Sequence, residues 1–157
     1  ADGFPFHHIH ATGSFGKEWM PKRVKDNGVD YENCPAIDIR EYIYDMPTVL
    51  TAADVVIGRA GSATCNEIAA SGTPCILVPS PNVTNNHQEK NARVLESGGG
   101  AVVLLEKDCT AETLYGLIRQ LLADETRRAQ MSRKLHAQLR PDSTDRICAI
   151  VEEITGR

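Results

Sequence analysis

Between Ala53 and Leu95 the chain alternates short β-branched runs with helical spacing, and this alternation restricts the fold more than any other feature. Asp54 opens the strand Val55-Val-Ile-Gly58, Arg59-Ala-Gly-Ser-Ala-Thr64 reads as a glycine-bearing turn, and the apolar stretch up to Ser71-Gly-Thr-Pro74 as a helix. A second strand, Cys75-Ile-Leu-Val78, runs into the polar loop Pro79 to Asn86 and then a further helix. Two consecutive strand-turn-helix units of this kind pair in parallel, with both connecting loops on the same edge of the sheet. Ligands of such sheets sit beyond the carboxyl ends of the strands, where both polar loops fall. The continuous run Val55-Val-Ile57 predicts a strand buried on both faces.

The flanking sequence extends the same α/β pattern. Phe6 to Ala11 reads as a strand entering a loop at Thr12-Gly-Ser14. Glu18 to Asp26 reads as a short helix interrupted early by Pro21 and ended by Asn27-Gly28. Ala36-Ile-Asp-Ile-Arg40 alternates with period two as a strand does, and Pro47 opens a short helix through Ala53. Downstream, Glu96-Ser-Gly-Gly-Gly100 closes a helix and Ala101 to Leu105 forms a buried strand. Thr110 caps a helix from Ala111 to Leu122 whose stripe is Leu114, Leu117, Ile118, Leu121 and Leu122. Two more helices, Glu125 to Leu139 and Ser143 to Ile154, are separated by Arg140-Pro-Asp142. The fold class is therefore α/β, a Rossmann-like parallel sheet flanked by helices, expected as a single domain over residues 1–157.

Composition excludes several classes of function. A formal charge of -4 over 157 residues supplies no basic field for nucleic acid, and the Lys and Arg residues from Arg127 to Arg140 read as a solvated helical face. Five scattered cysteines without a Cys-x-x-Cys pair favour a reducing cytoplasm over a disulfide framework or zinc site. No run approaches the ~20 apolar residues of a membrane span. His7, His8 and His10 suggest a metal site, but no acid or cysteine lies near enough in sequence to complete a set, and a polar strand end explains them more simply.

Two loops carry the candidate chemistry. After Gly61 the first amides of the helix lack intrahelical acceptors and point outward at the positive end of its dipole, where an anion such as phosphate would bind. Thr64 and Glu67 stand three apart, so a capping box is an equal alternative; the two readings separate on whether Glu67 turns back to the cap or faces a ribose. In the second loop Asn86 and Glu89 are explained as a helix start. His87, Gln88 and Asn91 are not: they share one helical face of neutral donors and acceptors, which suits a hydroxyl-rich sugar.

The blocks Arg59-Ala-Gly-Ser-Ala-Thr-Cys-Asn-Glu67, Gly72-Thr-Pro-Cys-Ile-Leu-Val-Pro-Ser-Pro81 and Val83-Thr-Asn-Asn-His-Gln-Glu-Lys-Asn-Ala92 closely resemble the MurG-type glycosyltransferases of family 28. Tyr42-Ile-Tyr-Asp-Met46, Leu105-Glu-Lys-Asp108 and Arg140-Pro-Asp142 add to the likeness. These enzymes move N-acetylglucosamine from UDP-GlcNAc to undecaprenyl-linked muramyl-pentapeptide in peptidoglycan synthesis. The resemblance implies the C-terminal, donor-binding half of a GT-B enzyme. The acceptor domain, and with it the catalytic base, would be absent, as would the first strand of the donor domain; the unpaired strand edges could support a dimer. By the same likeness Gly61, Ser62, Ala63 and Thr64 receive the α-phosphate, Glu67 the ribose, and Arg59 the diphosphate. Ile43 meets uracil through its backbone with Met46 beside it, and His87, Gln88 and Asn91 read the sugar, although relatives carry glutamine where this chain has His87.

The implied reaction is inverting, needs no cofactor or metal, and would be carried out at the cytoplasmic face of the inner membrane by the full-length protein; the fragment alone would bind donor and transfer nothing. Two rival classes remain. Another UDP-sugar enzyme, a glycolipid glycosyltransferase or a UDP-GlcNAc epimerase, shares the architecture, although an epimerase should show catalytic carboxylates and histidines. A non-catalytic nucleotide-binding module of the flavodoxin or response-regulator sort would need an early phosphate loop or an acidic cluster, and the sequence has neither.

Overall fold

Short parallel strands, each followed by helix, recur along the described chain as far as Val103, and helices follow. The computed structural model describes residues 6–139 and 142–156. Its elements are β1 (His8–Ala11), α1 (Gly13–Gly16), α2 (Trp19–Asp26), β2 (Ile37–Arg40), α3 (Met46–Ala52), β3 (Val56–Gly58), α4 (Ser62–Ser71) and β4 (Cys75–Leu77). A 3-10 turn at Thr84–Asn86 then leads into α5 (His87–Ser97) and β5 (Ala101–Val103), and a second at Glu106–Asp108 leads into α6 (Ala111–Ala123), α7 (Glu125–Gln138) and α8 (Ser143–Thr155). Arg140 and Pro141, expected to separate the last two helices, lie outside the described residues. The chain divides into two compact units between Met46 and Pro47, and its strands into two parallel sheets.

In the first unit β1 pairs with β2, from His8 opposite Ile37 to Ala11 opposite Arg40. The rings of His8 and His10 meet edge to face at 5.5 Å, and burial lowers the pKa of both. The segment expected as a loop after β1 makes one helical turn, α1. Pro21 does not interrupt α2, because it is that helix's third residue and the amide it lacks would have had no intrahelical acceptor. Asn27 closes α2 as expected, donating from Nδ2 to the Arg23 carbonyl at 2.7 Å.

In the second unit β4 is the central strand, paired in parallel with β3 (Val56 opposite Cys75) and with β5 (Cys75 opposite Ala101). Cys75, Ile76 and Leu77 are all 0% exposed, and the pleat sends them to opposite faces. Cys75 and Leu77 join Ala60, Ile68, Ala92, Leu95 and Leu135 in one core, built mainly from α4 and α5. Ile76 joins Leu104, Leu121 and Met131 in the other, with Leu114, Leu117 and Ile118 of α6 packed against it. Helix α7 serves both cores through Leu135 and Met131. The expectation that β3 is buried on both faces fails. It is an edge of this three-stranded sheet, and Ile57 remains 43% exposed.

Close approach and capping fasten the helices. α4 ends at Gly72, whose φ of +68° is left-handed and whose open side is filled by the His136 ring of α7. Leu135 lies so near Gly100 that a Cβ there would meet its Cδ2 at 2.5 Å. Thr110 caps α6 as expected, but its reciprocal partner is Thr113. Arg128 donates from Nη1 to the carbonyls of Leu121 and Leu122, at 2.8 and 2.5 Å, and so satisfies acceptors at the C-terminal end of α6. α8 buries none of its residues, and Ile147, Ile150, Val151 and Ile154 are exposed at helical spacing along it. Among the described residues no helix is long and apolar enough to cross a membrane.

Two outcomes follow from this packing. Leu135→Ala removes a side chain that the surrounding core cannot refill, and denaturant unfolding should show a loss of about 2–5 kcal/mol. Burial pushes the Cys75 thiol up to about 12, whereas Cys148 is exposed. Iodoacetamide at pH 8 should therefore label Cys148 in the native protein and reach Cys75 only after denaturation, which peptide mass mapping would check.

Candidate functional site

Because β3, β4 and β5 run parallel, the segments that leave their carboxyl ends emerge together. The first is Arg59-Ala-Gly61, leading into α4. Gly61 is the N-cap with φ −65° and ψ 152°, a conformation open to any residue. A Cβ there would touch nothing closer than Thr64 Oγ1 at 3.9 Å, so glycine contributes open space before the helix end and not a special turn. Among the described residues no side chain caps α4. Its first backbone bond runs from Cys65 N to Gly61 O at 2.9 Å, which leaves the amides of Ser62, Ala63 and Thr64 without an intrahelical acceptor. The capping-box alternative is ruled out: Thr64 is the third helical residue, and Glu67 is exposed with no partner among the described residues.

The second segment follows β4. Asn85 and Asn86 both take left-handed φ, 55° and 52°, which asparagine tolerates better than most residues. Asn86 stands at the N-cap of α5 as expected, but its Nδ2 donates to Glu89 Oε2 at 2.7 Å instead of its oxygen accepting a backbone amide. That bond, and behind it Arg93, holds the Glu89 carboxyl below its ordinary pKa.

The three residues expected on one face of α5 each bond to backbone outside that helix. Gln88 Oε1 accepts the Ser80 backbone amide at 2.9 Å and ties the polar loop to the helix. Asn91 Nδ2 donates to the Ala60 carbonyl at 3.1 Å and ties the same helix to the glycine turn. His87 is exposed, with Nδ1 2.9 Å from the Thr84 carbonyl. Since a carbonyl only accepts, Nδ1 carries the proton there, and in the neutral ring Nε2 is left as an acceptor.

Arg59 links the three strand ends. Its Nη1 donates to the carbonyl of Val78, just past β4, at 3.1 Å, and pairs with the carboxylate of Glu106, beyond β5. Nothing in the spacing of Glu106 singles it out in the sequence, because the pairing spans distant segments brought together only by the ladder. Glu106, with Pro79, Pro81, Asn86, Glu89, Leu105 and Lys107, lines a depression of about 390 Å³. Among the described residues no group of three His, Cys, Asp or Glu side chains could hold a metal.

The second unit thus brings together Arg59, Gly61, Ser62, Ala63, Thr64, Gln88 and Asn91 through direct bonds or chain continuity, with Glu67 one turn into α4 and His87 at the start of α5. Ile43 and Met46 belong to the first unit. Ile43 is 7% exposed, so its side chain is closed to solvent, and Met46 is half-buried at the start of α3.

A parallel sheet flanked by helices, with a bare helix end and polar side chains at its carboxyl edge, is shared by many α/β proteins, and it is the solved structures that place this chain among the GT-B glycosyltransferases. It superimposes on Acinetobacter baumannii MurG with a TM-score of 0.78 at 25% identity, covering 92% of this chain and 40% of that one. The calicheamicin glycosyltransferase CalG4, at 22% identity and a TM-score of 0.69, covers all of this chain and 37% of its own, and shares the fold. The chain belongs to the family described as the glycosyltransferase family 28 C-terminal domain, whose model matches residues 3–147. Among curated relatives it is 39% identical to the UDP-N-acetylglucosamine--N-acetylmuramyl-(pentapeptide) pyrophosphoryl-undecaprenol N-acetylglucosamine transferase of Desulforamulus reducens, over 95% of this chain and 40% of the relative. It is 40% identical to the enzyme of the same name from Acetivibrio thermocellus, over 95% of this chain and 39% of that protein. The chain therefore spans about 40% of the length of the curated relatives it matches.

The Asn91 bond to the glycine turn gives a direct test. Asn91→Asp keeps the size but removes the donor, and should cost about 1 kcal/mol in stability. Amide exchange should quicken at Cys65, whose N–H bonds to the Gly61 carbonyl of the turn. Unchanged exchange would show that the turn holds its shape without this bond.

Proposed function

We propose that this chain is the donor-binding part of an inverting hexosyltransferase that carries N-acetylglucosamine from UDP-GlcNAc to undecaprenyl-linked muramyl-pentapeptide, the step from lipid I to lipid II in peptidoglycan synthesis. The observation that carries the reading is the bare start of α4: three amides without intrahelical acceptors, a guanidinium at the same edge, and one turn further on an exposed carboxylate, Glu67, with no partner among the described residues. Phosphate suits the amides and the cation, and a carboxylate in that position can accept both hydroxyls of a ribose. The names of the relatives above supply the donor and acceptor.

In this reading Gly61, Ser62, Ala63 and Thr64 hold the α-phosphate and Glu67 the ribose. Ile43, through its backbone, and Met46 are assigned uracil by resemblance. Gln88 and Asn91 each commit one polar atom to bracing a loop, and keep Gln88 Nε2 and Asn91 Oδ1 for the sugar. His87 offers Nε2 as an acceptor. A muramyl hydroxyl attacks the anomeric carbon as the bond to UDP breaks, and negative charge grows on the leaving diphosphate. Amides already fixed at a helix end, together with Arg59, stabilise that charge without reorganising. The hydroxyl's proton goes to a base outside this chain, so the chain alone binds donor and transfers nothing. The whole enzyme would work in the cytoplasm, at the inner membrane where a lipid-linked acceptor is available.

Calorimetry in magnesium-free buffer tests this. UDP-GlcNAc and UDP should bind saturably and GDP should not, and Glu67→Ala should weaken UDP-GlcNAc by about tenfold or more. Equal binding of GDP, or an unaffected Glu67→Ala, would overturn the assignment.

A further inference from the structure

We propose that Glu106 is a positioning residue for the donor diphosphate: it clamps one edge of the Arg59 guanidinium so that the other edge faces the ligand as a preset fork. The inference rests on the donor-site reading above and adds to it a residue on a different strand end.

Guanidinium carries five N–H donors in one plane. Both protein contacts of Arg59 among the described residues run through Nη1, to the Val78 carbonyl and the Glu106 carboxylate. Nε and Nη2 therefore remain for a ligand, and the side chain is 54% exposed. Two parallel N–H groups on a planar fork match two oxygens of a phosphate.

The clamp is anchored on both sides. Leu104 N bonds to Leu77 O at 2.9 Å and continues the ladder past β5. The turn that bears Glu106 is closed by Asp108 N to Leu105 O at 2.9 Å and Cys109 N to Glu106 O at 3.2 Å. Val78 N in turn bonds to Gly58 O at 2.9 Å. The Arg59 partners thus sit on fixed backbone, whereas an unclamped arginine would have to give up its rotamer freedom when the ligand arrived.

Stability does not account for the pair. Both partners are substantially exposed, and ion pairs of that kind contribute little to folding. A carboxylate this close to the expected diphosphate would also oppose binding by its charge, so its presence is explained only if orientation outweighs repulsion. Those two effects have opposite signs, and the sign can be measured.

The test compares UDP and UMP affinities by calorimetry in wild type, Glu106→Ala, Glu106→Gln, Arg59→Ala and the double variant. Positioning predicts that Glu106→Ala weakens UDP by about tenfold while UMP changes by less than about twofold. Glu106→Gln, which keeps an acceptor oxygen, should recover part of the loss, and the double variant should bind UDP no more weakly than Arg59→Ala alone. Tighter or unchanged UDP binding in Glu106→Ala overturns the proposal, as does an equal loss for UDP and UMP, the mark of a merely structural role. A folded wild type that takes up no UDP overturns the donor reading and this proposal together. Wild-type binding that is indifferent to Glu106 overturns only the proposal.

Discussion

Parallel pairing of Cys75–Leu77 on both sides is the constraint from which the second unit follows. A strand hydrogen-bonded to two parallel neighbours needs helical crossovers, and those helices cover both of its faces. The alternation of Cys75 and Leu77 against Ile76 divides the core accordingly, one part with α4 and α5 and the other with α6. The same parallel sense brings the segments after β3, β4 and β5 to one edge, so the geometry that builds the core also gathers the candidate site.

That edge is assembled by polar bonds between segments far apart in sequence. Asn91 reaches the glycine turn, Gln88 reaches the second loop, and Arg59 reaches the segments beyond β4 and β5. Thr110 and Thr113 cap α6, and Asp124 accepts the Arg127 amide at the start of α7, whereas α2, α5 and α8 have no side-chain cap bond from their N-cap residues. Among the described residues α4 too begins without a side-chain cap. What sets α4 apart is the arginine beside its bare end, where free amides and a cation suit an anion, in keeping with membership of a glycosyltransferase family.

Much of this was legible in the sequence. The strand-turn-helix alternation placed β3, α4, β4 and α5 correctly, and the glycine cap after α5, the Thr110 cap and the α6 stripe are where periodicity and capping chemistry put them. The misjudgements share a cause. Val55 to Ile57 looks like a fully buried strand because its composition is apolar, but burial depends on what pairs beside it. Thr64 and Glu67 have capping-box spacing, but the box requires Thr64 as N-cap with the helix beginning at Cys65, and it begins at Ser62. Pro21 looks disruptive until the helix start is known to lie two residues before it.

By itself the sequence determined the α/β class, the order of its elements and the identity of the two loops, because hydrophobic period and turn residues act over a few neighbouring positions. Tertiary structure alone decided that Gln88 and Asn91 brace those loops, that Ile57 lies open at an edge, and that Glu106 meets Arg59. These are contacts between side chains and strand ends up to 47 positions apart, and only the register of the parallel ladder sets their distances.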